Sequence, residues 1–322
     1  MKIPKKLFPL IGIVLFIYII YSVGWQKILL TIAKADINFL LISVPFIIPG
    51  VIIKAIKWKM VVNRFDKKFP LMESLKIWLV GLFFGAVTPG RFGDFIKTFY
   101  LKNRGVRFGT SLSTIFVDRV MDVLSLVVLS TLGSFFILFI FKRLDISLYL
   151  FFLTAILIII ILILSRKKSM LFFAKPVFNY MVPSKYKRSF KAGFNDFYHA
   201  LSVLRDSKKV IFVVFALSLF SWLTSYVQAI FIFKSLGADV PYIYLVTFLS
   251  TEVLLSLLPI SISGFGTREF VYVTLFSLIG ITPEVAISFG FINVLFTLLT
   301  AFVGLLIWLV KPFKIDFRKT SS

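Results

Sequence analysis

The sequence predicts an all-α membrane protein: six full transmembrane helices plus two oppositely oriented re-entrant helical hairpins, arranged as an inverted repeat. Three observations predict it. First, 59% of the 322 residues are hydrophobic, 40 residues are Phe, and only 16% are charged. That balance belongs to chains dissolved in lipid rather than to a water-soluble core. Second, the apolar residues fall in long runs separated by short basic loops, the pattern of a chain that crosses a bilayer repeatedly. Third, two of the runs stop early at clusters of Pro, Gly and adjacent charges. Residues 1–322 read as one polytopic membrane domain, with a basic cytoplasmic linker, 166–209, inside it.

Taken in order, 7–23 is the first span. The basic MKIPKK before it resembles the start of a signal peptide. Gly24, Trp25 and Gln26 follow instead of a small-residue cleavage site, so the span is expected to be retained. A short loop with Lys27 and Lys34 leads to the second span, 38–56, where Pro45, Pro49 and Gly50 predict a kink. Residues 57–69 read as a basic loop. The run 75–87 gives about 20 Å of helix, too short for a hydrocarbon core about 30 Å thick. TPGRFGD (88–94) ends it, 95–101 continues, and the following stretch is basic again. The simplest reading is a hairpin that enters and leaves on one side. Further spans follow over 109–141, 147–164, 210–233 and 284–310. Between the last two, the run 242–258, PISISGFGTRE (259–269) and the run 270–279 repeat the broken pattern. In 166–209, eleven Lys/Arg mix with Phe190, Phe194, Phe197 and Tyr198, which reads as an interfacial amphipathic helix. That segment is too short for a catalytic domain of ordinary size.

Charge tests this topology. With a cytoplasmic N-terminus and both broken elements re-entrant, thirty of the 37 Lys/Arg fall on cytoplasmic segments and five on outer loops. Arg119 and Arg268 remain in or near the membrane. The positive-inside rule favours such a split, and a crossing by either broken element would flip the loops after it. The first hairpin then enters from the cytoplasm and the second from outside, with both termini cytoplasmic in a cell membrane.

The same composition excludes several functions. With no Cys there is no disulfide, thiolate nucleophile or zinc–thiolate site. The single His, His199, lies in the hydrophilic linker and reads as a surface residue. No metal site, cofactor or catalytic residue is expected. A net charge of +23 would point to nucleic acid in a soluble protein. Here it belongs to loops facing anionic headgroups, and no nucleic-acid partner is expected.

The two broken elements hold the candidate site. In lipid, backbone groups freed by Pro89, Gly90 and Gly93 are tolerated only where protein or a water-filled cavity satisfies them. Ionisable residues at such depth are functional-site hypotheses, and interrupted helices at corresponding places in two halves mark a transporter's binding site. The substrate-binding candidates are Arg91 and Asp94 in the first element and Arg268 and Glu269 in the second. A structural reading competes for the first pair, as an ion pair pinning the turn. Asp118, Arg119 and Asp122 read as a helix-entry network holding the first hairpin. Gly264 and Gly266 read as backbone devices.

TPGRFGDFIKTFYLKNRGV (88–106), FVDRVMD (116–122) and PISISGFGTREFVYVTLFSLIGI (259–281) together resemble the lysylphosphatidylglycerol synthase transmembrane-region family. This is the flippase-like membrane domain of the bacterial multiple peptide resistance factor, which also occurs as stand-alone integral membrane proteins. The resemblance covers about residues 7–311. It implies a lipid translocator, and it carries over to Arg91, Asp94, Asp118, Arg119, Asp122, Gly264, Gly266, Arg268 and Glu269. The family more often has Glu at positions 94 and 118, so Asp here keeps the charge on a shorter arm. The synthase's soluble aminoacyl-transferase domain has no counterpart in these residues. Synthesis of lysyl-lipid is therefore not expected of them, and that substrate does not carry over.

Three functions follow as expectations. The first is a lipid translocase whose partners are membrane lipids, anionic or prenyl-phosphate. The second is a membrane-embedded enzyme on lipid-linked phosphate or sugar, with Asp94 or Glu269 as base. The third is a non-transporting scaffold for a separate glycosyl- or aminoacyl-transferase.

Overall fold

In the computed structural model the described residues are 8–141, 187–257, 264–310 and 312, with 148, 151, 152, 155, 156 and 159 between them. Side chains are described from residue 14 onward, except at 89–92, 140–141 and 187–192. Among the described residues every regular element is helical.

The chain opens with α1 (Phe8–Val23) and α2 (Trp25–Ala33), bent by 71° at the junction. Gly24 makes the corner with φ +91°, a conformation that costs other residues their Cβ clearance. The loop expected around Lys27 is therefore helix. Next come α3 (Ile37–Ser43), a 3-10 turn (Val44–Phe46) containing Pro45, and α4 (Ile47–Val62). Together they form one candidate span, Ile37–Val62, of 26 residues. The sequence reading ended this span at 56 and placed Lys57 in a loop. The helix runs on because Lys57 is buried against acidic partners and does not reach for water.

α5 (Leu71–Val87) has 17 residues and starts earlier than expected. An eight-residue 3-10 helix (Pro89–Ile96) and α6 (Lys97–Asn103) return along it. The return is visible contact by contact. Gly93 lies on Phe84, Gly81 meets Asp94 and Lys97, Ile77 clusters with Leu101, and Arg104 reaches Glu73 at 2.6 Å. The pairs step in opposite directions, so the chain doubles back on itself.

The long helix α7 (Phe108–Phe141), α8 (Lys187–Asp206) and α9 (Lys208–Ser235) follow. α8 lies in the segment expected to hold an amphipathic helix, and it buries Phe197, Ala200 and Leu204 on one face. α10 (Tyr242–Ser256), a turn at 264–266, and α11 (Thr267–Ser277) make the second broken element. It also doubles back: Gly264 sits by Ser256, Tyr272 faces Glu252, and the rings of Phe276 and Phe248 lie 5.4 Å apart. α12 (Pro283–Val310) closes the fold.

Among the described residues, four helices are long and apolar enough to cross a membrane, or five with the bent α1–α2 pair. The span expected over 147–164 lies largely outside the described residues. Exposed Phe139, Phe136, Leu299 and Phe302 suit a lipid-facing surface. The packing is reciprocal: α5 packs on α12 and α10 packs on α7, while α4 packs on α9. Glycines make the first two contacts close. A Cβ on Gly304 would lie 2.0 Å from the Leu79 carbonyl, and one on Gly133 would lie 2.0 Å from Thr247 Oγ1.

Candidate functional site: two buried charge networks

The first network forms where the α5–α6 element meets α4 and α7. Thr88 ends α5, donates its hydroxyl to the Phe84 carbonyl and accepts the Gly93 N–H, both at 2.7 Å. One side chain thus satisfies backbone groups freed by the break. Gly93 is required by space: a Cβ there would sit 2.0 Å from Phe84 O. Gly81 leaves room in turn, because a Cβ would meet Lys97 Cε at 2.3 Å and Asp94 Oδ1 at 2.7 Å.

Into that gap fold Asp94 and Lys97, 2.7 Å apart and almost wholly buried. Arg119 of α7 bonds the other oxygen of Asp94. Its second amino group lies 3.9 Å from Asp122. Lys57 of α4, fully buried, bonds Asp118 at 2.9 Å and also Asp122. Above these, Lys54 lies over the ring of Trp222 at 4.6 Å and that of Trp78 at 5.8 Å. The structure thus brings together Asp94, Asp118, Arg119 and Asp122. The expected partner of Asp94 was Arg91. Its described partners are Lys97 and Arg119, and the side chain of Arg91 lies outside the described ones, as do those of Pro89 and Gly90. Lys54, Lys57 and Lys97 were missed because the charge pattern placed all three in cytoplasmic segments. Their burial is not encoded by spacing.

The second network sits in the α10–α11 element. Gly264 and Gly266 take φ +81° and +85°, so the turn before α11 uses the left-handed backbone. The Glu269 carboxylate reaches back to accept the Gly266 N–H at 2.7 Å, half of a capping box. Its other oxygen takes Arg268 at 2.5 Å. Glu269 is fully buried, so both oxygens are committed to the turn and to its neighbour. Arg268 also stacks over Phe265 at 5.2 Å. Glu252 of α10, which sequence reading missed as a lone acid in an apolar run, accepts the Ser256 hydroxyl at 2.6 Å and lies 3.4 Å from the Tyr272 hydroxyl.

At the polar end of the first element, Arg104 ties Asp66 and Glu73, each at 2.6 Å. The hydrogen bond from Arg104 to Asp66 holds the guanidinium above its ordinary value. Two cavities lie elsewhere. One of about 160 Å³ is lined by Phe16, Trp25 and Phe291, and one of about 540 Å³ by Lys34, Asp36, Lys234 and Glu284. Neither is lined by the networks.

Fold and site define an integral membrane protein whose apolar helices hold two doubled-back elements, each with buried ionic residues. The chain belongs to the family described as the lysylphosphatidylglycerol synthase TM region, whose model matches residues 8–307. It is similar to a UPF0104 membrane protein of Methanocaldococcus jannaschii, 25% identical over 337 residues, covering 99% of this chain and 98% of that one. A UPF0104 membrane protein of Archaeoglobus fulgidus is 27% identical, with 81% and 88% covered. One of Pyrococcus horikoshii is 22% identical, with 88% and 90% covered.

Proposed function

We propose that the chain is a flippase-like lipid translocase in a cell membrane. A phospholipid or lipid-linked headgroup crosses between two re-entrant hairpins while its chains stay in the hydrocarbon. The observation that carries this reading is the depth of the charges. Asp94 is level with Gly81, ten residues into α5, about 15 Å along the helix. Arg119 is eleven residues into α7, about 16 Å, and Glu252 is ten into α10, about 15 Å. For a core about 30 Å thick these are half-depths. The first hairpin enters from the cytoplasm and the second from outside, so both networks face the midplane. The lengths of the first hairpin agree with a return to the same side. α5 advances about 25 Å, and its 3-10 and α return leg covers about 26 Å. The reciprocal packing of α5 on α12 and α10 on α7 supports an inverted repeat.

With the networks closed, this arrangement is the occluded state of the cycle. Arg268 exchanges Glu269 for a lipid phosphate, and Arg119 exchanges Asp94. A guanidinium suits both partners because it offers paired donors to planar or tetrahedral oxyanions. Arg91 joins them at the first hairpin, and Asp94 and Glu269 hold the cations when no lipid is present. The substrate is an anionic or prenyl-phosphate lipid.

Proteoliposomes carrying a fluorescent phospholipid test the proposal. The expected result is leaflet exchange several-fold faster than in protein-free vesicles, reduced at least tenfold by Arg268→Ala. Exchange at the protein-free rate with anionic, zwitterionic and prenyl-phosphate lipids alike would overturn it.

A further inference from the structure

We infer that Glu252 is a proton-binding site that couples lipid passage to a proton gradient. Its carboxyl takes a proton from water on one side, stays neutral while the anionic headgroup passes, and gives the proton up on the other side. The coupling rests on the proposed translocase reading, since it names the ion that accompanies the lipid.

Glu252 stands apart from the other buried acids. Among the described residues Asp94 is ion-paired with Lys97 and Arg119, Asp118 and Asp122 with Lys57, and Glu269 with Arg268. Glu252 is 6% exposed, and its described partners are hydroxyls. Ser256 donates to one oxygen at 2.6 Å, and the Tyr272 hydroxyl lies 3.4 Å from the other. Over residues 242–277, the whole second element, Glu252, Arg268 and Glu269 are the only Asp, Glu, Lys or Arg. The one guanidinium already serves Glu269, whose carboxylate also caps the turn at Gly266. A carboxylate buried without a cation is costly, and such a group takes up a proton instead. Acids of this kind inside membranes mark proton relays.

The partners suit a proton that comes and goes. Hydroxyls donate to a carboxylate and accept from a carboxylic acid, so Ser256 and Tyr272 serve both states of Glu252 without repacking. A lysine or arginine in their place would hold the ionised state alone. The groups around it are few. α11 presents Arg268, Glu269 and Tyr272, and α9 presents Tyr226, bonded to Ser250 at 2.7 Å. α7 presents Ser130, bonded to Thr251, with Leu126 and Val127 against Leu254. The nearest acid along α7 is Asp122, held by Lys57. With Glu252 neutral, Arg268 has Glu269 alone as a competing carboxylate when a lipid phosphate arrives. Loss of the proton restores a second carboxylate on the element, which competes with the phosphate for Arg268 and releases the lipid. The proton and the negative charge of the headgroup thus cross in the same direction.

Two measurements on the full chain test this. The first reads the proton directly, as the carboxylic-acid carbonyl band in infrared spectra of the protein in detergent at neutral pH. The band is expected in the parent, shifted in Glu252→Asp and lost in Glu252→Gln. No band in the parent would overturn the site, as would an unchanged band in a Glu252→Gln protein that elutes as the parent does. The second is the leaflet distribution of fluorescent phosphatidylglycerol in proteoliposomes under an imposed pH step. The expected result is at least twofold accumulation in the leaflet facing the alkaline side. It should reverse with the step and vanish in Glu252→Gln. Parent vesicles that exchange lipid but ignore the step would overturn the coupling, as would a Glu252→Gln response equal to the parent's. The band without any leaflet exchange would sink the translocase reading, and the coupling with it, and leave the proton site standing.

Discussion

Lys57 is fully buried between Asp118 and Asp122, and the partners decide what its loss does. Removing one member of a buried pair leaves an uncompensated charge, at a cost of about 3–5 kcal/mol. Lys57→Met is expected to lower stability by that amount, read as a large drop in melting temperature in detergent. Arg104→Ala is the contrast. Its pairs with Asp66 and Glu73 are partly exposed, and exposed pairs contribute about 0–1 kcal/mol. Comparable losses in the two variants would contradict the assignment of depth. At this scale the sequence was legible where charge coincides with a break. Asp94, Arg268 and Glu269 announce themselves beside Pro and Gly. Lys57 and Lys97 do not, because a lysine near a helix end reads as snorkelling to water. Only the acids packed from α7 and the 3-10 segment reverse that. Glu252 was hidden for a related reason: its partners, Ser256 and Tyr272, are uncharged residues that no charge pattern marks.

The two doubled-back elements are held by different devices. The first uses steric room at Gly81 and Gly93, and the second uses left-handed backbone at Gly264 and Gly266. Gly93→Ala is therefore expected to push the return leg off Phe84. The cost should be about 1–3 kcal/mol, as for overpacking in a tight interior, together with loss of the Thr88–Gly93 bond. The register itself is testable because the chain has no cysteine. Glu73→Cys with Arg104→Cys should cross-link readily with a short bifunctional thiol reagent, while Glu73→Cys alone should not. Failure of the pair to link would contradict the antiparallel return. The break after α5 and the turn before α11 were legible from Pro and Gly spacing. The earlier start of α5 and the eight-residue 3-10 segment were not. Both depend on packing against α4, α7 and α12, which local sequence does not record.

At the scale of the molecule, the family and the helical membrane character were legible from composition and from three motif blocks in order. The reciprocal packing was not, since it rests on contacts between α5 and α12 and between α10 and α7 whose sequences share little. Those contacts define how the two halves must part if a headgroup is to pass. Ser130 of α7 and Thr251 of α10 meet across that boundary, their hydroxyls 2.8 Å apart, within reach of a disulfide between cysteines placed there. The most direct measurement is leaflet exchange by the Ser130→Cys/Thr251→Cys protein in proteoliposomes, oxidised and then reduced. The account predicts exchange near the protein-free rate when the halves are locked, and recovery on reduction. Full-rate exchange by the locked protein would contradict passage between the hairpins.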